Sequence, residues 1–262
     1  MVGKIFKIFT LCVLVVIVMG IISGAMANNP SAVLKNLIQK GAVEGLDLKY
    51  RICLFGFIPV GNALFADEGL VDFEGQTVHH LWARAQTFKL LSPLGEATAR
   101  IDSYMDKDRL CPLVFTESLV INNEKKVDKK VAYDLERLVM RRGQEERTIL
   151  PDTKDPLSAI LTIRKMDLAV NKDFELNINT NQKNYLLKGR VIRYTSLVIN
   201  GKKYGVWQVD ASIRRRDKSP RHSSFISIWL LGVPSRTPLL IKVSAGGGNI
   251  TARLVRVGDF EG

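Results

Sequence analysis

The chain has 262 residues, 38 Lys+Arg against 26 Asp+Glu, and a formal net charge of +12. Its 46% hydrophobic and 8% aromatic content excludes a disordered tail, and 20 Gly and 9 Pro are too few for a fibrous repeat. The length admits one large or two small domains.

The first element is an address. Lys4 and Lys7 form a short basic region, Ile8 to Ile22 carries no charge, and Ala25-Met26-Ala27 offers small residues where a signal peptidase reads. Residues 1–27 are therefore predicted to be a signal peptide cleaved before Asn28. The apolar run is short of the roughly 20 residues of a spanning helix. An uncleaved inner-membrane anchor over residues 5–22 is the alternative. Cys12 lies inside the apolar run without the small residue that precedes a lipidated cysteine. Cleavage leaves 36 basic against 26 acidic residues, so +10, and two cysteines, Cys53 and Cys111. In an oxidising compartment that pair is a disulfide candidate. Closing its loop would contribute roughly 4 kcal/mol in the chain-entropy picture; two separate thiols are the other reading.

Asn29-Pro30-Ser31 and Ala32, Val33, Leu34, Leu37, Ile38, ended by Gly41, predict a short capped helix within an N-terminal segment, residues 28–44. From residue 45 onward period-two alternation dominates. Leu46, Leu48, Tyr50, Ile52 and Leu54 face one way, and the pattern returns at Trp207–Ile213, Leu239–Ala245 and Ile250–Leu254. Asp155-Pro156, with Leu157, Ile160, Leu161 and Arg164 at helical spacing, predicts the second helix. Asn200-Gly201 between Val191–Ile199 and Tyr204–Ile213 is a strong hairpin signal, and Gly246-Gly247-Gly248-Asn249 joins the last two strands. Hairpins build antiparallel sheet, and no βαβ alternation is present. About a dozen strands and two short helices are expected. They should form one β-rich domain over 45–262: a large curved antiparallel sheet, or partial barrel, with a helix across its mouth.

Chemical motifs are sparse. His79 and His80 are adjacent, so on a strand they point to opposite faces and cannot clasp one metal; no metal site and no cofactor is expected. Asp102, Asp106 and Asp108 lack the ligand density and turning Gly of a calcium loop, and read as a strand end with a solvated turn. No Gly-x-Ser-x-Gly, Ser-x-x-Lys or phosphate-binding Gly loop occurs, so no catalytic residue is named and the chain is expected not to be an enzyme. The basic run Arg214-Arg215-Arg216-Asp217-Lys218, followed by Arg221, would suggest nucleic acid in the cytosol. Export redirects it toward lipid headgroups, glycolipid phosphates or acidic polysaccharide, with a solvated hairpin tip as the plain reading. Arg141-Arg142 invites the same pair of readings. Trp207, Phe225 and Trp229 are the large side chains expected on the concave face, lining a lipid cavity or filling a core.

Tyr50–Ala63, with Gly56 and Ile58-Pro59-Val60-Gly61, resembles the opening strand pair of an exported bacterial family known as domain of unknown function 3108. Asp155-Pro156-Leu157-Ser158-Ala159 with Arg164 looks like its central helix. Asn184-Tyr185 to Val191, Ile228-Trp229-Leu230, Arg236, Pro238 and Gly248-Asn249-Ile250 fit its C-terminal half. The resemblance spans roughly residues 45–257. Where an acidic residue is expected after the Trp-Leu pair, this chain has Leu231-Gly232-Val233. The resemblance implies a curved antiparallel sheet similar to periplasmic half-barrel carriers, and no reaction. Function is thus expected to be noncatalytic binding of an apolar or amphipathic envelope ligand, such as lipid, lipoprotein or anionic glycolipid. Ligand-binding candidates are Trp207, Phe225, Trp229 and Arg214, Arg215 and Arg216. A scaffold for a protein partner is the alternative, and a polysaccharide-acting enzyme stands third. The expected place is the periplasm or outer envelope. Membrane contact through the leader is expected only if it is retained.

Overall fold

The structure, a computed structural model, describes residues 46–88, 96–199, 201–217, 224–245 and 248–257. The expected signal peptide over 1–27 and the expected helix within 28–44 lie outside the described residues. The eight strands before the helix are β1 (Leu46–Leu54), β2 (Ile58–Phe73), β3 (Gln76–Thr87), β4 (Ala97–Asp106), β5 (Pro112–Ile121), β6 (Glu124–Asp134), β7 (Val139–Arg142) and β8 (Glu145–Thr148). After the helix α1 (Pro156–Lys165) come β9 (Asp173–Thr180), β10 (Lys183–Ile199), β11 (Lys202–Arg215), β12 (Ser224–Leu231), β13 (Pro238–Ala245) and β14 (Gly248–Val257).

All fourteen strands share one sheet in the order β8-β7-β6-β5-β4-β3-β2-β1-β14-β13-β12-β11-β10-β9, and every ladder is antiparallel. The first eight strands meander outward from the centre. The last six meander back, and β14 pairs with β1, Arg51 opposite Arg253 and Ile52 opposite Ala252. The two outermost strands, β8 and β9, are therefore joined by the segment that carries α1.

That connection forces the sheet to curl. Laid flat, fourteen strands would span about 62 Å. Yet Lys154, six residues after the end of β8, already bridges to Ile178 of β9, and those residues reach about 20 Å at most. The two edges meet along a seam made mainly by side chains. Asn184 Nδ2 donates to the Thr148 carbonyl (3.0 Å), Asn177 Nδ2 to the Pro151 carbonyl (2.8 Å), and Gln182 Nε2 to Glu145 (3.1 Å).

Helix α1 lies inside the curl, not across its mouth. Pro156 to Leu161 and Ile163 are all buried, so the helix is apolar nearly all round. Leu157, Leu161 and Ile163 join the main core with Leu48, Ile52, Leu81, Ile101, Met105 and Met140. Ala159 packs with Ile178, Leu187 and Ala211 of the other flank. The local sequence dictates the start of the helix. Asp155 accepts from the Ser158 N–H (2.8 Å), the Ser158 hydroxyl accepts in return from the Asp155 N–H (2.8 Å), and Pro156 supplies a pre-set φ. Arg164 and Lys165 sit in the last turn, where the helix dipole favours cations.

The long β10–β11 hairpin runs past the end of β12, and its Ile199, Tyr204 and Val206 are buried in the same core. Tyr194 folds across Gly205 and Gly232. A Cβ at Gly205 would lie 2.2 Å from the tyrosine oxygen, so a side chain at either glycine would displace the half-exposed Tyr194 ring.

Asp155 is wholly buried and also accepts from the Ser103 hydroxyl of β4, so one side chain both caps the helix and anchors it to the sheet. Replacing it removes a cap and leaves the Ser103 hydroxyl without its partner. Asp155→Ala is expected to lower stability by about 2 kcal/mol in urea unfolding, against a few tenths for a change at an exposed residue.

Candidate functional site

Three polar clusters and one charged face organise the molecule. The first cluster lies under the C-terminal end of α1. Asp67 on β2 and His79 on β3 both point inward, their side chains 2.7 Å apart. Arg164 reaches from the helix to Asp67 (3.3 Å) and donates to the Ser235 carbonyl (3.1 Å). Burial alone would raise the Asp67 carboxyl. The His79 hydrogen bond, the Arg164 and His79 charges and the Gly69 N–H together outweigh it, and the net shift is downward. The second cluster is the capped end. Here burial pushes the Asp155 carboxyl up against its Ser103 and Ser158 hydrogen bonds, and Tyr133 beside it is pushed far above its ordinary value, again chiefly by burial. Lys154 Nζ donates to the Arg109 carbonyl (2.6 Å) and lies 3.2 Å from Cys111 Sγ.

The third cluster is on the outer face. His80 lies 3.2 Å from Asp102, Arg100 binds Asp102 through two nitrogens (2.7 and 2.9 Å), and Tyr104 stacks on the His80 ring with centroids 4.3 Å apart. Phe73 stacks on Tyr104 in turn, and Arg100 lies over Trp82. Burial would raise Asp102, but the hydrogen bonds from His80 and Arg100 and their charges hold it at about 2. As expected from adjacency, the two histidines face opposite ways. Among the described residues no group of three His, Cys, Asp or Glu could hold a metal ion.

The predicted ligand residues do not converge. In β12, Ile228 and Leu230 point inward, so Phe225 and Trp229 point outward. Phe225 is 61% exposed, and Lys242 lies over the Trp229 ring. Trp207 is paired with Leu230 and faces the other way, edge-on to Tyr194. The expectation of a concave aromatic stripe is therefore corrected: the parity of the register divides the three. The arginine run divides too. Arg214 and Arg215 alternate along β11, Arg215 is bound to Asp217, and Arg216 to Asn177. Arg221 and Lys218 lie outside the described residues.

The disulfide candidate is corrected as well. Cys53 and Cys111 are both free. Cys53 sits at one end of the sheet, opposite Thr251 and Pro59, whereas Cys111 follows β4 at the other end, beside Met105 and Pro112. Three strands and about ten residues of strand rise separate them, more than 20 Å against the roughly 7 Å limit for bridging.

A cleft of about 300 Å³, its open mouth included, lies at the seam and is lined by Phe115, Glu117, Lys129, Tyr133, Asn179 and Asn181 among others. Two of its charged groups engage each other: Lys129 binds Glu117 (2.7 Å), and also Asn181 (2.9 Å). Among the described residues no helix is long and apolar enough to cross a membrane.

Sequence reasoning missed the outer face of β14, β1, β2 and β3. Arg253 lies directly opposite Arg51, Lys49 opposite Arg256, and Leu64 connects Lys49 to Arg84, which in turn faces Arg100. Lys49 and Arg51 alternate in sequence, but Arg253 and Arg256 are three apart, and only the register, with its shift between Lys49 and Tyr50, joins all four on one face.

The chain belongs to the family described as protein of unknown function DUF3108, whose model matches residues 49–255. No curated protein matches at a significant level. Among solved structures, a β-barrel-like protein of domain of unknown function DUF1849 from Brucella abortus superposes with a TM-score of 0.62 at 12% identity, over 84% of this chain and 100% of that one. That likeness shows the fold: a mainly β, barrel-like antiparallel sheet. A candidate exported protein with a YmcC-like fold from Bacteroides fragilis (TM-score 0.37, 8% identity, 84% of this chain and 98% of that one) overlaps too loosely to carry an argument. So does a candidate lipoprotein from Parabacteroides distasonis (0.38, 7%, 83% and 97%).

Asp102 titrates lower in the folded chain than its ordinary value of 3.8. Its contribution is therefore complete above about pH 4 and is lost as pH falls toward 2. Asp102→Asn is expected to cost about 2 kcal/mol at pH 7, and the gap between wild type and variant should close over that acid window in pH-dependent unfolding.

Proposed function

We propose that this chain is an exported, noncatalytic protein of the cell envelope that works by binding, with its contact surface on the outside of the sheet. One observation carries the choice of surface: the concave side is occupied by α1 and the core around it. A carrier holding an acyl chain inside would need the space that Leu157, Leu161 and Ile163 fill, and those side chains are at most 3% exposed. Export is supported by the leader pattern of residues 1–27. The noncatalytic reading is supported by the state of the buried acids. Asp67, Asp102, Glu117 and Asp155 are each held by partners that fix the fold. An amphipathic envelope ligand such as lipid or lipoprotein fits a basic, partly aromatic exterior; a protein partner is the alternative.

Native mass spectrometry of the protein recovered from membranes tests this reading. The expected spectrum shows the bare chain after detergent exchange. A stoichiometric lipid adduct that survives exchange would place the ligand inside and contradict the proposal.

A further inference from the structure

We infer that the outer face of β14-β1-β2-β3, with the Phe55-Gly56-Phe57 turn at its end, is a docking surface for an anionic phospholipid bilayer. The inference rests on the binding reading above and names its partner.

The charge comes first. Arg51 and Arg253 are directly opposite in the β1–β14 ladder, both exposed, and Arg84 is exposed two strands away. Among the described residues no carboxylate pairs with any of these three. Lys49 and Arg256 form the next like-charged pair along the same two strands. Like charges opposite one another on a sheet oppose folding, and two consecutive such pairs at the centre of the sheet are an arrangement the fold does not need. For Arg51, Arg84 and Arg253, a layer of phosphate headgroups supplies the countercharge that no described carboxylate does. Lys49 bears the strain of the arrangement: burial lowers its pKa, and the charges of Arg256 and Arg51 lower it further. Among the charged and titratable groups bordering the patch are Lys242, Glu68, and Asp102 with its partners His80 and Arg100. The two acids lie at its far edge beside Trp82.

The apolar part is continuous with the basic part. β1 runs from Lys49 through Arg51 into the turn, where Phe55 is 50% and Phe57 74% exposed. The turn is a built feature: Phe55 and Gly56 both have positive φ, and the Phe55 N–H is tied to the Asn249 carbonyl at 2.8 Å. Phe225, 61% exposed, lies in the same transverse row, reached through Ser244 and Asn249. Three exposed phenylalanines at one end of a basic face match the two zones of a bilayer surface, headgroup phosphates outside and acyl carbons beneath. An acidic protein would use the arginines but has no requirement for phenylalanines at one end only, which favours the bilayer.

Flotation of the whole protein with phosphatidylglycerol-containing vesicles and with phosphatidylcholine vesicles tests this. Any retained leader, with Lys4 and Lys7, adds equally to wild type and variants, so the difference between them reports the charged surface. Wild type should prefer the anionic vesicles by about tenfold or more, and the preference should collapse near 1 M salt, where screening shortens to about 3 Å. R51Q/R84Q/R253Q should lose that preference while keeping its circular-dichroism melt, since the change relieves repulsion. Phe57→Ser, a second and milder variant, should weaken binding about threefold or more at unchanged salt dependence. K107Q/K202Q/K203Q removes the same charge from the opposite end of the sheet and should bind as wild type does. Equal binding of wild type to both vesicles, or equal loss in the two triple variants, would overturn the inference. If docking fails while the interior proves free of lipid, the binding reading survives with a protein partner. If an interior lipid is found, that reading fails whatever the vesicles show.

Discussion

The fold depends on one constraint: the segment joining the two outermost strands of a fourteen-stranded sheet is short, and it carries a helix with almost no polar face. A flat sheet could not satisfy the bridge between Lys154 and Ile178, and an outward-facing α1 would expose Leu157, Ile160, Leu161 and Ile163 together. Curling around the helix meets both demands at once. It brings β8 beside β9 and gives the apolar helix a surround of strands from both halves.

Such a helix must also be held at both ends inside the protein, and two acids do this. Asp155 closes the first turn and holds Ser103. At the other end Arg164 is met by Asp67, itself held by His79, and by the Ser235 carbonyl. Buried pairs of this kind contribute less than they cost to break, because removing one partner strands the other in a low-dielectric interior. Their value is positional: they fix the depth and register of α1 and tie the loop before β13 to it. With the concave side so occupied, the outer face is left to carry recognition, and its chemistry is lopsided. Paired cations lie along the central strands, with aromatic residues at one end.

Much of this was legible in the sequence. Period-two alternation gave the antiparallel sheet, Asn200-Gly201 marked the β10–β11 hairpin, and Asp155-Pro156 marked the helix start because a capping box and an N1 proline are local signals. Fourteen strands replaced an expected dozen, with β7 and β8 only four residues each. The misjudged features are all non-local. The helix was expected across the mouth of the curl, whereas its interior position follows from β8 and β9 being far apart in the sheet order. Trp207 and Trp229 alternate alike within their own strands, and only the pairing of Trp207 with Leu230 reveals that they face opposite sides. Asp67 and Arg164 are 97 residues apart, and the Arg51–Arg253 pair 202, so no window could join them. Bulges add to the difficulty: the shift between Asp67 and Gly69 changes which residues of β2 face inward partway along the strand.

Native-state hydrogen exchange tests the central claim, that α1 is an integral part of the interior. The helical amides from Ile160 to Met166, the last of which bonds to the Thr162 carbonyl, should exchange only through global unfolding. Their opening free energy should equal that of central β1 amides such as Ile52. Exchange of the helix at a distinctly lower free energy than β1 would mean that α1 can leave the sheet without unfolding it. That result would contradict the account and reopen the concave side as a binding site.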